Sequence, residues 1–323
     1  MRKQKKTLLE IIGGIIFVLS ALYSINRLIF YFATRKEHLY SANGHFYKHS
    51  HGKVFYTKTG SGSPLLLIHD TNCCSSDYEW HQVVKQFAKT HTVYTIDLLG
   101  CGRSDKPCIT YSGYLYVQLI HDFIQDIIGD TPDVIVTGNT VPFVMMTEKL
   151  HKGTFQRMIF VNPVDFTEAS KFPTKKDSLR KSIYEIPILG TFLYYCQTTK
   201  SSIIKQFRRN CVSPHASDSI AHIRCYHEAA HLKGSAGKYL FASQRFGFLA
   251  CNVADQHTDL TTPICVILGK HMEYMSDISD WEIFLNPDTE VAILPDCKGL
   301  PQLETPDAFV DVCETYLETG SIS

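Results

Sequence analysis

The sequence of 323 residues lacks a net charge, because 32 lysines and arginines balance 32 aspartates and glutamates. It therefore has no basic field of the kind that attracts nucleic acid, and no nucleic-acid partner is expected. It also contains no internal repeat and no low-complexity tract, which argues against a solenoid or a disordered chain. No motif for a cofactor is recognised, so no cofactor is predicted.

The chain contains eleven cysteines but no CxxC pair and no zinc-ribbon spacing. An odd number that includes the adjacent pair Cys73 and Cys74 resembles no disulfide framework. We interpret most of these cysteines as small buried apolar residues. So many thiols suit the cytoplasm or an anaerobic host better than an oxidising compartment.

The amino terminus has four basic residues at positions 2–6, followed by an apolar stretch over residues 8–32. A helix over this stretch is about 37 Å long, enough to cross a hydrocarbon core of about 30 Å. The first 33 residues are therefore predicted to form a basic terminus and a membrane anchor. A cleaved signal peptide and a soluble amphipathic helix are the alternatives, although no convincing cleavage site follows the apolar run.

The basic residues before the anchor predict a cytoplasmic amino terminus and a globular part outside the cytoplasm, in a single-pass topology. Arg27, Arg35 and Lys36 on the far flank weaken this charge contrast. The cysteine content favours the opposite orientation, so both remain open.

Eight short runs with apolar or alternating character predict β-strands. They are residues 45–47, 54–56, 65–68, 92–96, 134–136, 158–161, 264–268 and 291–294. Segments of helical periodicity separate most of them, at 78–89, 114–128, 141–151, 281–285 and 306–317. This alternation predicts an α/β fold: a mostly parallel central sheet with helices on both faces.

Between the strands at 158–161 and 264–268, about a hundred residues lack strand signals and look helical. We interpret this block as a helical cap inserted over the carboxyl ends of the strands, the edge where such sheets bind ligands. The predicted domains are an anchor of residues 1–33, a core of residues 34–162 and 263–323, and a cap of residues 163–262.

Four segments resemble motifs of the α/β-hydrolase family, in the family's order. Residues 65–70 resemble the strand and His-Gly turn that help form the oxyanion hole, and residues 95–107 resemble the Gly-x-Gly-x-Ser loop that follows the next strand. Residues 134–142 stand in place of the nucleophile elbow, and residues 294–306 resemble the histidine loop. By this resemblance the chain is identified as a member of that family.

The resemblance places the family's nucleophile, acid and histidine at Thr140, Met272 and Gly299. Neither a thioether nor a bare α-carbon can relay a proton, and losing the histidine of such a triad lowers turnover roughly a millionfold. We therefore expect lost or strongly reduced serine-hydrolase-type activity. Thr140 is also β-branched, which is strained at the positive φ of an elbow, so we interpret it as a helix N-cap in a relaxed turn.

Asp70 follows His69 where the family has glycine, and a carboxylate there opposes a developing oxyanion. The backbone amides of Thr71 and Val141 are the remaining candidate donors of a vestigial anion site. The predicted pocket lip comprises His69, Asp70, Thr71, Asn139, Thr140, Val141 and His271. We expect a small molecule or a peptide to bind there.

Two other sites are alternatives. In a rearranged active site, His271 would act as the base for Thr140, with Asp296 orienting it. His227, Glu228 and His231 match an HExxH pattern on a predicted helix, but no third ligand has a recognised spacing, so no metal is predicted. A third hypothesis is an interaction platform at the membrane without a small-molecule ligand, and the oligomeric state is left open.

Overall fold

The computed structural model describes residues 2–165, 169–212, 219–253, 260–272 and 289–322. Eight strands form one sheet: β1 (Gly44–His49), β2 (Gly52–Gly60), β3 (Ser63–Ile68), β4 (His91–Ile96), β5 (Asp133–Thr137), β6 (Met158–Val161), β7 (Ile264–Gly269) and β8 (Glu290–Leu294). Their order is β1-β2-β4-β3-β5-β6-β7-β8, in which β2 pairs antiparallel with β1 and β4 and all other neighbours are parallel. The predicted fold class is confirmed, and each predicted strand is present.

The helices are α1 (Arg2–Thr34), α2 (Val84–Phe87), α3 (Gly113–Phe123), α4 (Val141–Leu150), α5 (Lys175–Glu185), α6 (Leu189–Gln197), α7 (Lys200–Asn210), α8 (Ser219–His231), α9 (Gly237–Arg245), α10 (Pro301–Glu304) and α11 (Pro306–Thr319). The contacts of alternate side chains of β3 show how the helices cover the sheet. Leu66 and Ile68 pack in a core that includes α3 and α4, whereas Leu65 and Leu67 pack with α2 and α11. Because successive side chains of a strand point to opposite faces, helices cover both sides.

Two predicted helices differ from the structure. The segment 78–89 is broken into a 3₁₀ turn, Asp77–Trp80, and the single turn of α2. The 3₁₀ turn is held from the side, because the Asp77 amide donates to Asp97 Oδ1 at 2.7 Å. The segment 114–128 is α3 followed by a π-helical turn, Ile124–Ile128. The predicted helix at 281–285 lies outside the described residues.

Helices α5 to α9 lie between β6 and β7, and we call them the helical insert. Tyr194, Ile203, Phe207 and Tyr226 of the insert are buried together, and this cluster also includes Leu300 from the loop after β8. The insert therefore packs on the loops at the carboxyl edge of the sheet. Its assignment to a separate cap of residues 163–262 stays a prediction.

Helix α1 is the most exposed element of the structure. Gln4–Thr34 has a mean hydropathy of 2.2 over its most apolar window and is long and apolar enough to cross a membrane. Leu9 is 72% exposed and Phe17 is 75% exposed, but Asn26 and Ala33 near the end of the helix are buried. The first part of α1 thus has no protein covering, and the last turns pack on the globular part.

Candidate functional site

The turn after β5 does not have the strained backbone of a nucleophile elbow. The left-handed φ falls on Gly138 (+56°), and Thr140 has ordinary right-handed angles of φ −85° and ψ −19°. This arrangement moves the strain from a β-branched residue to a glycine, which tolerates it. Thr140 does stand at the N-cap position of α4, but its side chain makes no capping hydrogen bond.

The Thr140 hydroxyl is buried and bonded within the core. Its oxygen donates to the carbonyl of His69 at 2.8 Å, so the 2.6 Å contact with Thr71 Oγ1 has the Thr71 hydroxyl as donor. Thr140 has no exposed surface. A nucleophile needs its hydroxyl to face substrate and to donate its proton to a base. Here that proton is directed at a backbone carbonyl.

The anion-binding donors expected from the sequence are also used within the chain, which corrects the prediction that they remain free. The Val141 amide donates to the carbonyl of Gly138, and the Thr71 amide donates to the carboxylate of Asp70. Asp70 Oδ1 also accepts from the Asn139 amide at 2.7 Å and from Asn139 Nδ2 at 2.9 Å. A resident carboxylate therefore takes up the donors near the position of an oxyanion.

His69 serves the core rather than the pocket. Its Nε2 accepts from the Leu98 amide at 3.1 Å, so its Nδ1 carries the proton and donates to the carbonyl of Asp70 at 2.7 Å. Burial lowers the pKa of His69 below its ordinary value. This neutral imidazole joins the ends of β3 and β4.

The acid and base positions both line a cavity at the carboxyl edge of the sheet, but neither holds a proton-transfer group. Met272 and Gly299 are the residues present. A Cβ added to Gly299 would lie 2.1 Å from the carbonyl oxygen of Asn210, so this backbone has no room for an imidazole.

The rearranged constellation of Thr140, His271 and Asp296 is not assembled by the contacts described. His271 and Asp296 are both exposed, whereas Thr140 is fully buried and bonded to Thr71 and His69. His271 contributes its backbone amide to the carbonyl of Cys297 at 3.1 Å. Neither His271 nor Asp296 lines the cavity.

We call the cavity at this site the sheet-edge cavity; it has a volume of about 570 Å³. Loops at the ends of the strands form one wall and helices of the insert form the other. Its polar residues from the strand loops include Asp70, Glu79, Asn139, Asn162 and Lys298, and its lining from the insert includes Ile203, Phe207, Arg209, Tyr226 and Gln244. The size is in the ordinary range of small-molecule sites.

Glu79 is the residue of this cavity that the sequence reasoning missed. It is 1% exposed and accepts from the Asp70 amide at 3.1 Å and from the Tyr226 hydroxyl at 3.1 Å. Burial, followed by the nearby carboxylate of Asp70, raises the pKa of Glu79 to about 8. Burial also raises the pKa of Asp70, against the lowering effect of Asn139. A single glutamate in a segment of helical periodicity gave no signal of this environment.

Residues of the HExxH pattern make hydrogen bonds to the backbone. Glu228, in the middle of the pattern, accepts from the backbone amides of His38 at 2.7 Å and Leu39 at 3.4 Å, and so binds the chain just after α1. His231 Nδ1 lies 2.7 Å from the carbonyl of His227. In the part of the chain that the structure describes, no three His, Cys, Asp or Glu side chains are grouped as metal ligands. Glu228 is therefore not free to act as a general base.

Comparison with known proteins supports the same framework. The model of the alpha/beta hydrolase family matches residues 65–140. A 2-hydroxy-6-oxo-6-(2'-aminophenyl)hexa-2,4-dienoic acid hydrolase of Metapseudomonas resinovorans is 32% identical over 87 residues, which are 27% of this chain and 30% of that protein. A soluble epoxide hydrolase of Corynebacterium sp. strain C12 is 31% identical over 83 residues, 26% of this chain and 28% of that protein. The chain thus matches less than a third of the length of these relatives.

Solved structures extend the likeness to nearly the whole fold. A serine hydrolase involved in carbazole degradation has a TM-score of 0.68 at 17% identity, covering 85% of this chain and 98% of that one. A bacterial membrane phospholipase A has a TM-score of 0.66 at 16% identity, covering 96% and 95%. The chain has the α/β-hydrolase fold, and its residues 65–140 match the family model.

The match to the family model runs from β3 to Thr140, over residues 65–140. Arg103 in this stretch bonds Asp97 at 2.8 Å and lies over the ring of Phe55 at 3.7 Å. Those contacts hold the loop after β4 and do not depend on catalysis. The matched stretch thus includes contacts that stabilise the loop after β4.

Proposed function

We propose that this chain is a membrane-anchored α/β-hydrolase-family protein that binds a small molecule in the sheet-edge cavity and does not form an acyl-enzyme on Thr140. One observation carries the proposal. The Thr140 hydroxyl, the Val141 amide and the Asp70 carboxylate all make hydrogen bonds within the chain, beside a cavity of about 570 Å³. We therefore infer a ligand site in which the groups needed for serine-hydrolase catalysis are not available.

The lining indicates an amphipathic ligand. Ile203, Phe207 and Leu300 supply apolar wall, whereas the Glu79 carboxyl and Asn162 supply polar groups. With a pKa of about 8, Glu79 is protonated at neutral pH and donates or accepts without a full charge. We therefore expect a neutral hydroxyl or amide on the ligand, next to an apolar body.

The catalytic part of the proposal is tested with the full-length protein in mild detergent. We expect no turnover of 4-nitrophenyl butyrate above background and no labelling by a fluorophosphonate probe. Thr140→Ala is the informative variant: activity or labelling that this substitution removes would contradict the proposal.

The binding part is tested by melting-temperature shifts with a panel of small alcohols, diols and amides. Val164 lines the cavity, so Val164→Trp is expected to fill it and remove any shift. Val291, 42% exposed on β8, provides the matched control Val291→Trp, which is expected to leave the shift unchanged. Equal shifts in both variants would place binding elsewhere.

Hydrolysis without Thr140 is a second candidate, favoured by the carboxyls of half-buried Asp70 and buried Glu79 at the cavity wall. Such paired carboxyl groups with raised pKa values are suited to general acid and base steps. Ester turnover that survives Thr140→Ala but is lost in Glu79→Gln would support this candidate over the first.

For the anchor, we propose that α1 spans a membrane with the amino terminus in the cytoplasm and the globular part outside. Its length and hydropathy and the basic residues before it support this topology. A carboxyl-terminal reporter that is active only in the cytoplasm should be silent. A signal from it would reverse the orientation, as the eleven free thiols would suit.

A further inference from the structure

A second cavity, of about 370 Å³, lies between the last turns of α1 and the helical insert. We call it the anchor cavity. Helix α1 contributes Ile25, Leu28, Ile29, Phe32 and Ala33, and the insert contributes Tyr195, Thr199, Lys200, His227 and His231. None of these residues lines the sheet-edge cavity.

Polar contacts hold α1 against the insert on both sides of this cavity. Asn26, 7% exposed, donates from Nδ2 to the carbonyl of Ile188 at 3.1 Å. At the other side, Glu228 accepts from the amides of His38 and Leu39. Because buried polar contacts are specific in position, the cavity is a built feature of the junction.

His231 lines the cavity and has a buried hydrogen-bond acceptor that no described group uses. The side chain has no exposed surface, and its Nδ1 donates to the carbonyl of His227, which leaves the lone pair on Nε2. Burial lowers the pKa of His231 to about 3, so the ring is neutral. Across the described part of the chain, Nε2 has no hydrogen-bond partner. A buried acceptor without a donor is unfavourable, and a ligand that donates to it is correspondingly favoured.

The five residues of α1 give the cavity an apolar side that is suited to a hydrocarbon chain. Ile25, Leu28 and Phe32 line the cavity and are also 43%, 56% and 58% exposed, so the apolar lining continues onto the open surface of α1. If α1 lies in a bilayer, this surface is in contact with acyl chains. The cavity therefore opens toward lipid on its α1 side, and its insert side carries polar side chains, among them His231.

We propose that the anchor cavity binds a single-chain lipid with a free hydroxyl group, of which 1-oleoylglycerol is the simplest example. The acyl chain follows the apolar side of α1, and the hydroxyl donates to His231 Nε2. This inference rests on the anchor part of the proposed function and is independent of the sheet-edge cavity.

Photolabelling tests the location. The full-length protein in dodecyl maltoside would be irradiated with a photoreactive analogue of 1-oleoylglycerol, and the adducts mapped by mass spectrometry. We expect adducts in residues 25–33 and 195–200. Adducts spread over residues 8–19, or concentrated on the lining of the sheet-edge cavity, would overturn the proposal.

Competition tests the hydrogen bond without a mutation. Unlabelled 1-oleoylglycerol is expected to displace the probe about fivefold more effectively than methyl oleate, which has the same chain and no hydroxyl. Equal displacement by the two lipids would overturn the role of His231.

Variants of His231 separate that role from packing. His231→Leu is expected to remove the preference for the hydroxyl, and His231→Gln, which keeps an acceptor, to retain it within about twofold. His121 also has a buried ring nitrogen without a partner in the described structure but lies away from α1 on α3, so His121→Leu is the control. A preference lost equally in the control would contradict the proposal.

A sedimentation assay without detergent keeps this result separate from the anchor proposal. A protein that remains monomeric without detergent would refute the anchor, whether or not the labelling succeeds. Membrane association together with random labelling would refute only the lipid site.

Discussion

The two cavities of this protein place ionisable side chains in similar burial with opposite consequences. In the sheet-edge cavity, burial raises the pKa of Glu79 to about 8, so the protein keeps a proton that a free carboxyl would release. In the anchor cavity, burial lowers the pKa of His231 to about 3, so the protein excludes a proton that a free imidazole would bind. The same desolvation favours the neutral form of each group.

Burial removes the water that would solvate an ionised Glu79 or His231. The comparison teaches that one cause, the loss of water around a side chain, raises the pKa of an acid and lowers the pKa of a base. Stability should therefore decline on both sides of a pH optimum, for reasons that can be assigned to separate residues.

The largest expected effect comes from Glu79→Gln. The native state holds the Glu79 proton up to about pH 8, whereas the unfolded chain releases it near 4.5. Stability of the wild type should therefore fall as pH rises through this interval, by about 3 kcal/mol between pH 6 and pH 9. Chemical denaturation of the full-length protein in detergent should show this slope in the wild type and lose it in the variant.

The exposed carboxyl of Asp311 provides the control, because Asp311→Asn removes a charge from α11 without touching the cavity. It should keep the alkaline slope. A Glu79→Gln protein with the slope of the wild type would show that Glu79 is ionised when folded.

The next effect should come from His231→Leu on the acid side. The native ring stays neutral down to about pH 3, whereas the unfolded imidazole binds a proton near 6.5. Stability of the wild type should rise with pH in this range, and about 2 kcal/mol should be lost between pH 6.5 and pH 5. The variant should lose less over the same interval, and His45→Gln on the exposed face of β1 should behave as wild type.

A smaller effect is expected from Gly138→Ala at the edge of the sheet-edge cavity. The added Cβ would lie 2.5 Å from Asp70 Oδ1, at a φ of +56°. Gly129→Ala provides the matched control, since Gly129 has a φ of +69° and no atom within 4 Å of the added Cβ. Both variants carry the cost of the left-handed backbone, so the excess loss at Gly138, about 1–2 kcal/mol, measures the contact with Asp70. Equal midpoints in urea would mean that Asp70 moves aside freely.

The smallest effect on stability is expected from variants of Thr140, which distinguish a structural role of this residue from a catalytic one. Thr140→Ala removes the hydrogen bond to the His69 carbonyl and leaves the Thr71 hydroxyl without its acceptor, so a loss of about 1 kcal/mol is expected. Thr140→Ser keeps the hydroxyl and should recover much of that loss. Neither variant should differ from the wild type in hydrolysing esters only at the background rate, and a wild-type activity that Thr140→Ala alone removes would restore the nucleophile hypothesis.

Much of the fold was predictable because strands and helices differ in the period of their apolar residues. All eight strands, α3, α4, α8 and α11 follow from such patterns, and so does the position of the helical insert. The break in the segment 78–89 was not predictable, because it depends on contacts of Asp77 and Glu79 with residues distant in the sequence. The period of the apolar residues shows which face of a helix or strand is buried, but it does not identify the residues that pack against that face.

The candidate site divides in the same way. Thr140, Met272 and Gly299 were located by their places in the motifs, and neither a thioether nor a glycine can transfer a proton. The hydrogen-bond partners of the Val141 amide and the Asp70 carboxylate could be identified only in the structure, because a hydrogen bond depends on where donors and acceptors meet.

By itself, the sequence determined the parallel sheet, the apolar amino-terminal helix and the absence of an imidazole at position 299, because each is a local property of residue type or spacing. Tertiary structure decided which polar groups face a cavity, which are bonded internally and which lose their charge. Those outcomes depend on desolvation and on distances of a few ångströms between elements that are far apart along the chain. Glu79 and His231 have ordinary neighbours in the sequence. Only the packing around them raises the pKa of Glu79 and lowers the pKa of His231.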